Sequence, residues 1–307
     1  MAIFGKKYFK VDLNQAERKD DETLWMKCKA CNELVFKKKV RENNNICPKC
    51  GEYFFLTALE RIQLLADPDS FEDISRPIVA ANPLGFIDEE GQPYPEKIKK
   101  AQEETGLANE IIVGRARIDG QSVIVAVMDF RFIGGSMGSV MGEQICHGIQ
   151  TAARERAPFI LISATGGARM HEGVLSLMQM AKTSACRKKL EQAGVPFISI
   201  MTYPTTAGVQ ASIASLGDIT LAEKGALIGF TGRRVIQQTL KQDLPEDFQT
   251  DRFAFEHGIV DNVVKRESLR DELIRILKFF EPVLHTLTPT LSVYGEGAGE
   301  VESKGTL

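Results

Sequence analysis

Four cysteines and three glycine-rich turns carry the clearest chemical meaning in this chain. Cys28-Lys-Ala-Cys31 is followed by fifteen residues and then by Cys47-Pro-Lys-Cys50-Gly51. Each CxxC pair forms a tight knuckle that aims two thiolates at one point, and two knuckles complete a tetrahedron, as in a four-thiolate zinc site. The alternative is a pair of disulfides, which needs an oxidising compartment, and nothing else in the chain points to one. Four thiolates leave no open position for water, so Zn2+ held there is structural.

The turns suit a different chemistry. Gly134-Gly135-Ser136-Met137-Gly138, Gly166-Gly167-Ala168-Arg169 and Ala207-Gly208 each follow an apolar run and precede a helical pattern. A strand that breaks at glycines before a helix leaves main-chain N–H groups bare, with the positive end of the helix dipole behind them. Such groups hold an anion or a developing oxyanion. Any α/β protein has glycines where strands turn into helices, so one such turn says little. Three on one side of a parallel sheet gather several N–H groups around a small space. That arrangement fits a reaction that builds negative charge on a carbonyl oxygen, such as enolate formation from a thioester.

Other catalytic classes fit less well. His147, His171, His257 and His285 lie in no recognised nucleophile motif, and the chain has neither a P-loop nor a dinucleotide fingerprint. His171 beside Glu172 is a candidate acid–base pair, with a positioning or surface role the plainer reading. Cys146 and Cys186 fall in helical patterns and read as small buried apolar residues.

The elements that must position these groups follow from periodicity. Residues 159–162 form an apolar run of the kind covered on both faces of a sheet, and Val174, Leu175, Met178 and Ala181 then fall at helical spacing. Val123, Phe159 and Phe197 open successive strand–loop–helix units 36 and then 38 residues apart, without a residue-level repeat. Asp119-Gly120 between two alternating runs predicts a hairpin over 111–128. Helices are expected at 58–65, 97–104, 140–154 and 209–216, and a closing amphipathic helix at 268–280 capped by Ser268. Further strand is expected at 219–222, 226–230 and 259–264. The Pro- and Gly-rich stretch 77–95 reads as an irregular wrap.

Composition sets the outer limits. The 307 residues are 43% hydrophobic and 26% charged with a net charge of −3, which gives no general pull toward nucleic acid or acidic membranes. No apolar run approaches the roughly 18 residues that span a bilayer. The lysines of residues 1–10 have no apolar core behind them, so no secretory signal is read there. A cytoplasmic or plastid-stromal protein is expected. Its parts are an arm (1–24), a zinc ribbon (25–56), a main domain (57–284) and a loose tail (285–307). Between the knuckles, Phe36-Lys37-Lys38-Lys39-Val40-Arg41 reads as a basic hairpin arm, either a solvated surface or a contact for an anionic ligand such as a CoA phosphate or RNA.

Taken together, the cysteine motif, Gly134-Gly135-Ser136-Met137-Gly138-Ser139-Val140, Ser163-Ala164-Thr165-Gly166-Gly167-Ala168-Arg169-Met170, residues 177–184, Pro204-Thr205-Thr206, Leu216-Gly217-Asp218 and Ala226-Leu227-Ile228-Gly229-Phe230 resemble the beta subunit of the heteromeric acetyl-CoA carboxylase carboxyltransferase. The resemblance runs from about residue 25 to 275. It implies an α/β crotonase-like (ClpP/crotonase) superhelix with an N-terminal four-cysteine zinc ribbon. It implies transfer of a carboxyl group from carboxybiotin to acetyl-CoA, giving malonyl-CoA for fatty acid synthesis. The implied partners are an alpha subunit, in an assembly of two alpha and two beta chains, with biotin carboxylase and the biotin carboxyl carrier protein. Ala207 and Gly208 match the glycine pair of the oxyanion turn, and the turns at 134–138 and 166–169 are expected to bind substrate. Ala207 replaces a glycine; it keeps its N–H, so the pocket survives if residue 207 does not need positive φ. His171 stands where the family has Gln. The alternative function is a nucleic-acid-binding zinc ribbon on a non-catalytic scaffold of the same fold.

Overall fold

The computed structural model describes residues 24–241 and 243–286. The arm expected over 1–24 and the tail over 285–307 lie outside those residues, apart from residue 24 and residues 285–286. The first knuckle joins strands β1 (Trp25–Lys27) and β2 (Leu34–Phe36), which pair antiparallel with Trp25 opposite Phe36. The basic hairpin arm expected after them is instead a helix, α1 (Lys37–Glu42). Lysines favour helix, and Val40 turns inward against Val35, Cys28 and Cys47, which anchors one face of the turn.

Helix α2 (Ala58–Leu65) has the expected bounds because Thr57 and Glu60 form a capping box. The Glu60 N–H donates to Thr57 Oγ1 at 3.1 Å and the Thr57 N–H donates to Glu60 Oε2 at 2.8 Å. A short strand, β3 (Glu72–Asp73), and the irregular wrap follow. Helix α3 (Tyr94–Thr105) starts earlier than its charge pattern suggested, since Pro95 fits a first helical turn, and it stops at Gly106 with φ 72°.

The hairpin β4 (Ile111–Ile118) and β5 (Gln121–Met128) turns through Asp119 and Gly120 at φ 53° and 79°. Then come α4 (Ser139–Glu155), β6 (Phe159–Thr165), α5 (Val174–Ala193), β7 (Phe197–Thr206) and α6 (Ala207–Gln210). The strand pairing sets Ile124, Phe159 and Phe197 side by side, one residue from the 123/159/197 recurrence read in the sequence. Helix α6 covers four residues rather than eight. The Ser212 hydroxyl donates to the Gly208 carbonyl at 2.6 Å and Ser212 leaves helical φ/ψ, so the chain resumes as a 3-10 turn at Ile213–Leu216.

The chain closes with β8 (Ile219–Glu223), β9 (Ile228–Gly229), α7 (Arg233–Leu240), α8 (Asp251–Glu256), β10 (Asn262–Val264) and α9 (Leu269–Thr286). Ser268 ends a 3-10 turn just before α9. The sheet order is β10-β8-β7-β6-β5-β4-β3, with β9 on the end of β7, and β5, β6, β7, β8 and β10 run parallel. All seven residues of β6 are buried, as its unbroken apolar run requires. One face packs Met141, Ile145 and Ile149 of α4 on Phe159 and Phe197. The other packs Ile62 of α2 and Leu273 and Leu277 of α9 on Ile160 and Ile198. No helix of the described residues is long and apolar enough to cross a membrane.

One buried ionic group ties the cysteine unit to this sheet. Arg61 on α2 and Arg266 before α9 both bind the carboxylate of Glu223, at the end of β8. Arg266 Nη1 also donates to the carbonyls of Asn44, Asn45 and Phe54, at 3.1, 3.1 and 3.0 Å. Its guanidinium lies 4.4 Å from the centre of the Tyr53 ring. Burial alone would raise the Glu223 pKa; the two guanidiniums overcome it and hold the carboxyl at about 2.

Candidate active site

The two knuckles fold by the same local pattern. In the first, the Asn32 N–H donates to Cys28 O and the Cys28 N–H donates to Glu33 O; in the second, the Gly51 N–H donates to Cys47 O and the Cys47 N–H donates to Glu52 O. Each pattern needs a left-handed residue after its second cysteine, and Asn32 (φ 59°) and Gly51 (φ 76°) supply it. The four sulfurs lie within 4.8 Å of one another, with Cys28 to Cys50 at 3.7 Å and Cys31 to Cys47 at 4.0 Å. A tetrahedral zinc with Zn–S bonds of about 2.3 Å has sulfur–sulfur edges of about 3.8 Å. The donor set therefore fits zinc in type and in size, and all six cysteines are unbridged.

At the C-terminal ends of β5, β6 and β7 the three glycine turns meet. The Gly166 N–H donates to Gly134 O at 2.9 Å, the Met137 N–H to Gly167 O at 2.7 Å, and the Arg169 N–H to Met137 O at 2.9 Å. Met137 and Ala168 thus form a parallel bridge that extends the sheet one step beyond the strands. Close packing explains two of the glycines. A Cβ on Gly135 would fall 2.1 Å from the Ala164 carbonyl oxygen, and one on Gly167 would fall 2.5 Å from the Ala207 Cβ. Gly134, Ser136, Gly166, Ala168 and Ala207 reach the surface of this junction, while Gly135, Met137, Gly138, Gly167 and Gly208 lie beneath it.

Two non-glycine residues in these turns have left-handed backbones, Ile133 (φ 48°) and Ala207 (φ 52°). A β-branched residue there is a true outlier. Ala207 does need positive φ, so alanine here carries a conformation that favours glycine, at a strain of roughly 1–2 kcal/mol. Strain of this kind concentrates where a turn has work to do beyond folding. Gly208 is the second residue of α6, so no carbonyl of its own helix can take its N–H. No other acceptor among the described residues is bonded to it. The Ala207 N–H adjoins the last β7–β9 pair, Thr206 opposite Gly229.

Comparison with known proteins bears on the same regions. The carboxyl transferase domain family matches residues 55–283, and the acetyl-CoA carboxylase zinc finger domain matches residues 25–50. The acetyl-coenzyme A carboxylase carboxyl transferase subunit beta of Thermus thermophilus is 47% identical over 264 residues, which cover 86% of this chain and 92% of that protein. The chain belongs to the carboxyl transferase family, among the acetyl-CoA carboxylase beta subunits. The beta subunit of Desulforamulus reducens is 49% identical over 262 residues, 85% of this chain and 89% of that protein. Among solved structures, transcarboxylase 12S with methylmalonyl-coenzyme A and methylmalonic acid bound superposes with TM-score 0.61 at 25% identity, over 79% of this chain and 44% of that longer chain. A Pseudomonas malonate decarboxylase heterodimer shares the fold, with TM-score 0.56 at 23% identity, over 74% of this chain and 86% of the matched chain.

Several side chains of this carboxyl transferase take places that the sequence did not foretell. Arg169 is buried, and its guanidinium donates to Ser136 Oγ, the Ser136 carbonyl and the Tyr94 hydroxyl, with Glu110 at 3.3 Å. It braces the first turn against the second rather than facing the surface. Glu172 accepts the Tyr94 hydroxyl and, at 2.7 Å, the Ser139 N–H that opens α4. His171 is buried, stacked on Tyr94 with ring centres 5.0 Å apart, and burial pushes its pKa down. Glu172 therefore ties Tyr94 to the start of α4, and His171 is buried behind it against Phe86 and Tyr94 rather than on the surface.

The first turn also has the Gly-x-Ser-x-Gly spacing of a nucleophile elbow, at Gly134, Ser136 and Gly138. Ser136 Oγ donates to the Ile133 carbonyl and accepts from Arg169, so an arginine stands where a base would be needed. Tyr94 and Glu110 were missed as supports, because nothing in their local spacing links them to residue 169.

Proposed function

We propose that this chain is the beta half of an acetyl-CoA carboxylase carboxyltransferase, transferring the carboxyl group of carboxybiotin to acetyl-CoA to give malonyl-CoA. The observation that carries the reading is the junction of three turns at one sheet edge, with the Gly208 N–H uncommitted beside it. Carboxybiotin releases its carboxyl group when the ureido oxygen is held as an oxyanion, and an acetyl thioester gives up a proton when its enolate oxygen is held likewise. The Gly208 amide, with Ala207 shaping the turn, supplies one such pocket. Gly134, Ser136, Gly166 and Ala168, the residues of the first two turns that reach the surface, line the approach for the thioester. The N–C bond of carboxybiotin breaks to give CO2 and the ureido anion, and the freed nitrogen of that anion takes the proton from the acetyl group. The enolate carbon bonds to the CO2, so no histidine is required. Zinc on Cys28, Cys31, Cys47 and Cys50 would cross-link the ribbon and take no part in the reaction.

The second pocket belongs to an alpha subunit. Helix α5 presents Val174, Leu177 and Met178, each more than half exposed, beside Met170 and next to the turns. Such an apolar face at the rim of the site suits a partner surface. The alpha subunit, biotin carboxylase and the biotin carboxyl carrier protein complete the assembly under this reading.

Carboxyl transfer is expected only when the chain is combined with its alpha subunit; malonyl-CoA formation by the isolated chain, or none by the complex, sinks the proposal. Replacing Leu177 and Met178 by Asp is expected to weaken association with the alpha subunit by at least about tenfold, as loss of an apolar anchor does. Unchanged co-elution on gel filtration would count against that face. Metal removal has a separate expected result. One zinc per chain is released by chelator, and amides of residues 25–50 lose hydrogen-exchange protection while those of β5, β6 and β7 keep theirs. Loss of protection throughout would show that the ribbon holds up the main sheet.

A further inference from the structure

A group of exposed aromatic rings lies at the same sheet edge and is not used above. Phe55, from the segment between the cysteine unit and α2, stacks on Phe130, which follows β5, with ring centres 5.5 Å apart and planes at 7°. Phe55 also meets Tyr203 of β7 edge to face, at 5.7 Å and 63°. Phe55 and Tyr203 are 47% and 51% exposed. Two large rings set at an angle and about half open to solvent form a corner.

The backbone is built to hold Tyr203 there. Between Ser163 and Thr165 of β6, paired with Met201 and Thr205, the register slips so that β7 carries two extra residues. The hydroxyls of Thr202 and Thr205 both donate to the Ser163 carbonyl, at 2.7 and 3.1 Å, and pin the bulge. A bulge re-aims a side chain, and bulges gather beside active sites. Here the re-aimed residue is Tyr203, while its neighbours Thr202, Pro204 and Thr205 stay buried.

We infer that Phe55 and Tyr203, backed by Phe130, form a shelf on which the adenine of the coenzyme A thioester stacks. The inference rests on the functional reading above and names a subsite within it. Tyr203 is five residues before Gly208, so the shelf lies at most about 17 Å from the proposed oxyanion pocket along the strand. That is within reach of a pantetheine arm whose thioester sits at the turns. An acetyl group is too short to use an apolar corner at that distance. The flat ring of this substrate is its adenine, which gains from a face-and-edge pair of aromatics, and the Tyr203 hydroxyl offers a polar tip for a ring nitrogen. Phe55 reaches this corner on the segment whose Asn45 and Phe54 carbonyls Arg266 holds, so docking of the cysteine unit sets its position.

The test compares acetyl-CoA with acetyl-pantetheine, which keeps the thioester and lacks the nucleotide, in the complex with the alpha subunit. Phe55→Ala and Tyr203→Ala are each expected to raise KM for acetyl-CoA about tenfold, with kcat/KM for acetyl-pantetheine changing by less than about twofold. Tyr203→Phe keeps the stack and should restore most of the loss. Equal losses on both thioesters, or none on either, overturn the shelf. A wild-type complex that turns over neither thioester overturns the functional reading instead. The shelf is then read from binding of coenzyme A by calorimetry: about tenfold weaker binding to Tyr203→Ala supports it, and equal binding sinks it.

Discussion

Glu223→Gln is expected to destabilise the chain by about 3–5 kcal/mol, the usual cost of removing one partner from a buried charge pair. The side chains of Arg61, Glu223 and Arg266 are only 6%, 2% and 2% exposed. Without the carboxylate, two guanidiniums remain in a dry site with no counter-charge, and an amide oxygen can satisfy only one of them. Equilibrium denaturant unfolding measures the loss, and a change below about 1 kcal/mol would refute the assignment. The effect should be local as well as global, because Arg266 also holds three carbonyls around the cysteine unit. Proteolysis of residues 51–57 should therefore quicken. The triple change Arg61→Leu, Glu223→Leu and Arg266→Met separates the two roles. It removes every buried charge, which is often neutral for stability, yet it still releases the unit that Arg266 held. The pH dependence has a definite sign. A carboxyl held at about 2 contributes stability that is full above the ordinary value near 4.3 and fades as pH falls toward 2.

That latch could not be read from the sequence, whereas much around it could. Residues 159–162, the Asp119-Gly120 turn, the Thr57–Glu60 box and the CxxC pairs are local signals, and each fixes its own element or site within a few residues. Glu223 lies 162 positions from Arg61 and 43 from Arg266, and no periodicity connects them. The same holds for Arg169, whose partners Tyr94 and Glu110 come from other elements, and for the bulge that turns Tyr203 outward. The helix at 37–42 was misread because lysine spacing alone does not show that Val40 has an apolar cluster to enter. For the turns, the sequence located the glycines but not the reason for them. Gly135 and Gly167 are needed because another turn's atoms occupy the space a side chain would fill.

Gly167→Ala puts that reason to the test and is expected to lower carboxyl transfer by about 10²-fold, the cost of misplacing reacting groups by roughly 1 Å. Two effects act together at this position. Its φ of 115° is rarely open to an L-residue, and its Cβ would sit 2.5 Å from the Ala207 Cβ. Neither β-carbon can rotate away, so the second and third turns must part. The Gly167 carbonyl, which accepts the Met137 N–H at 2.7 Å, would carry the first turn with it. Ala207→Gly separates the contributions. Alone it should be neutral to stabilising by up to about 1.5 kcal/mol, since relief of roughly 1–2 kcal/mol of left-handed strain is only partly offset by about 0.4–1 kcal/mol of added chain entropy. Combined with Gly167→Ala, it removes the clash but not the φ strain, so activity should recover in part. Full activity of Gly167→Ala alone would show that the turns are not held by contact. No recovery in the double variant would assign the whole effect to the backbone of residue 167. The chemistry proposed for Gly208 depends on this contact, because the turn that offers its amide is positioned by the absence of a side chain at Gly167 in the turn beside it.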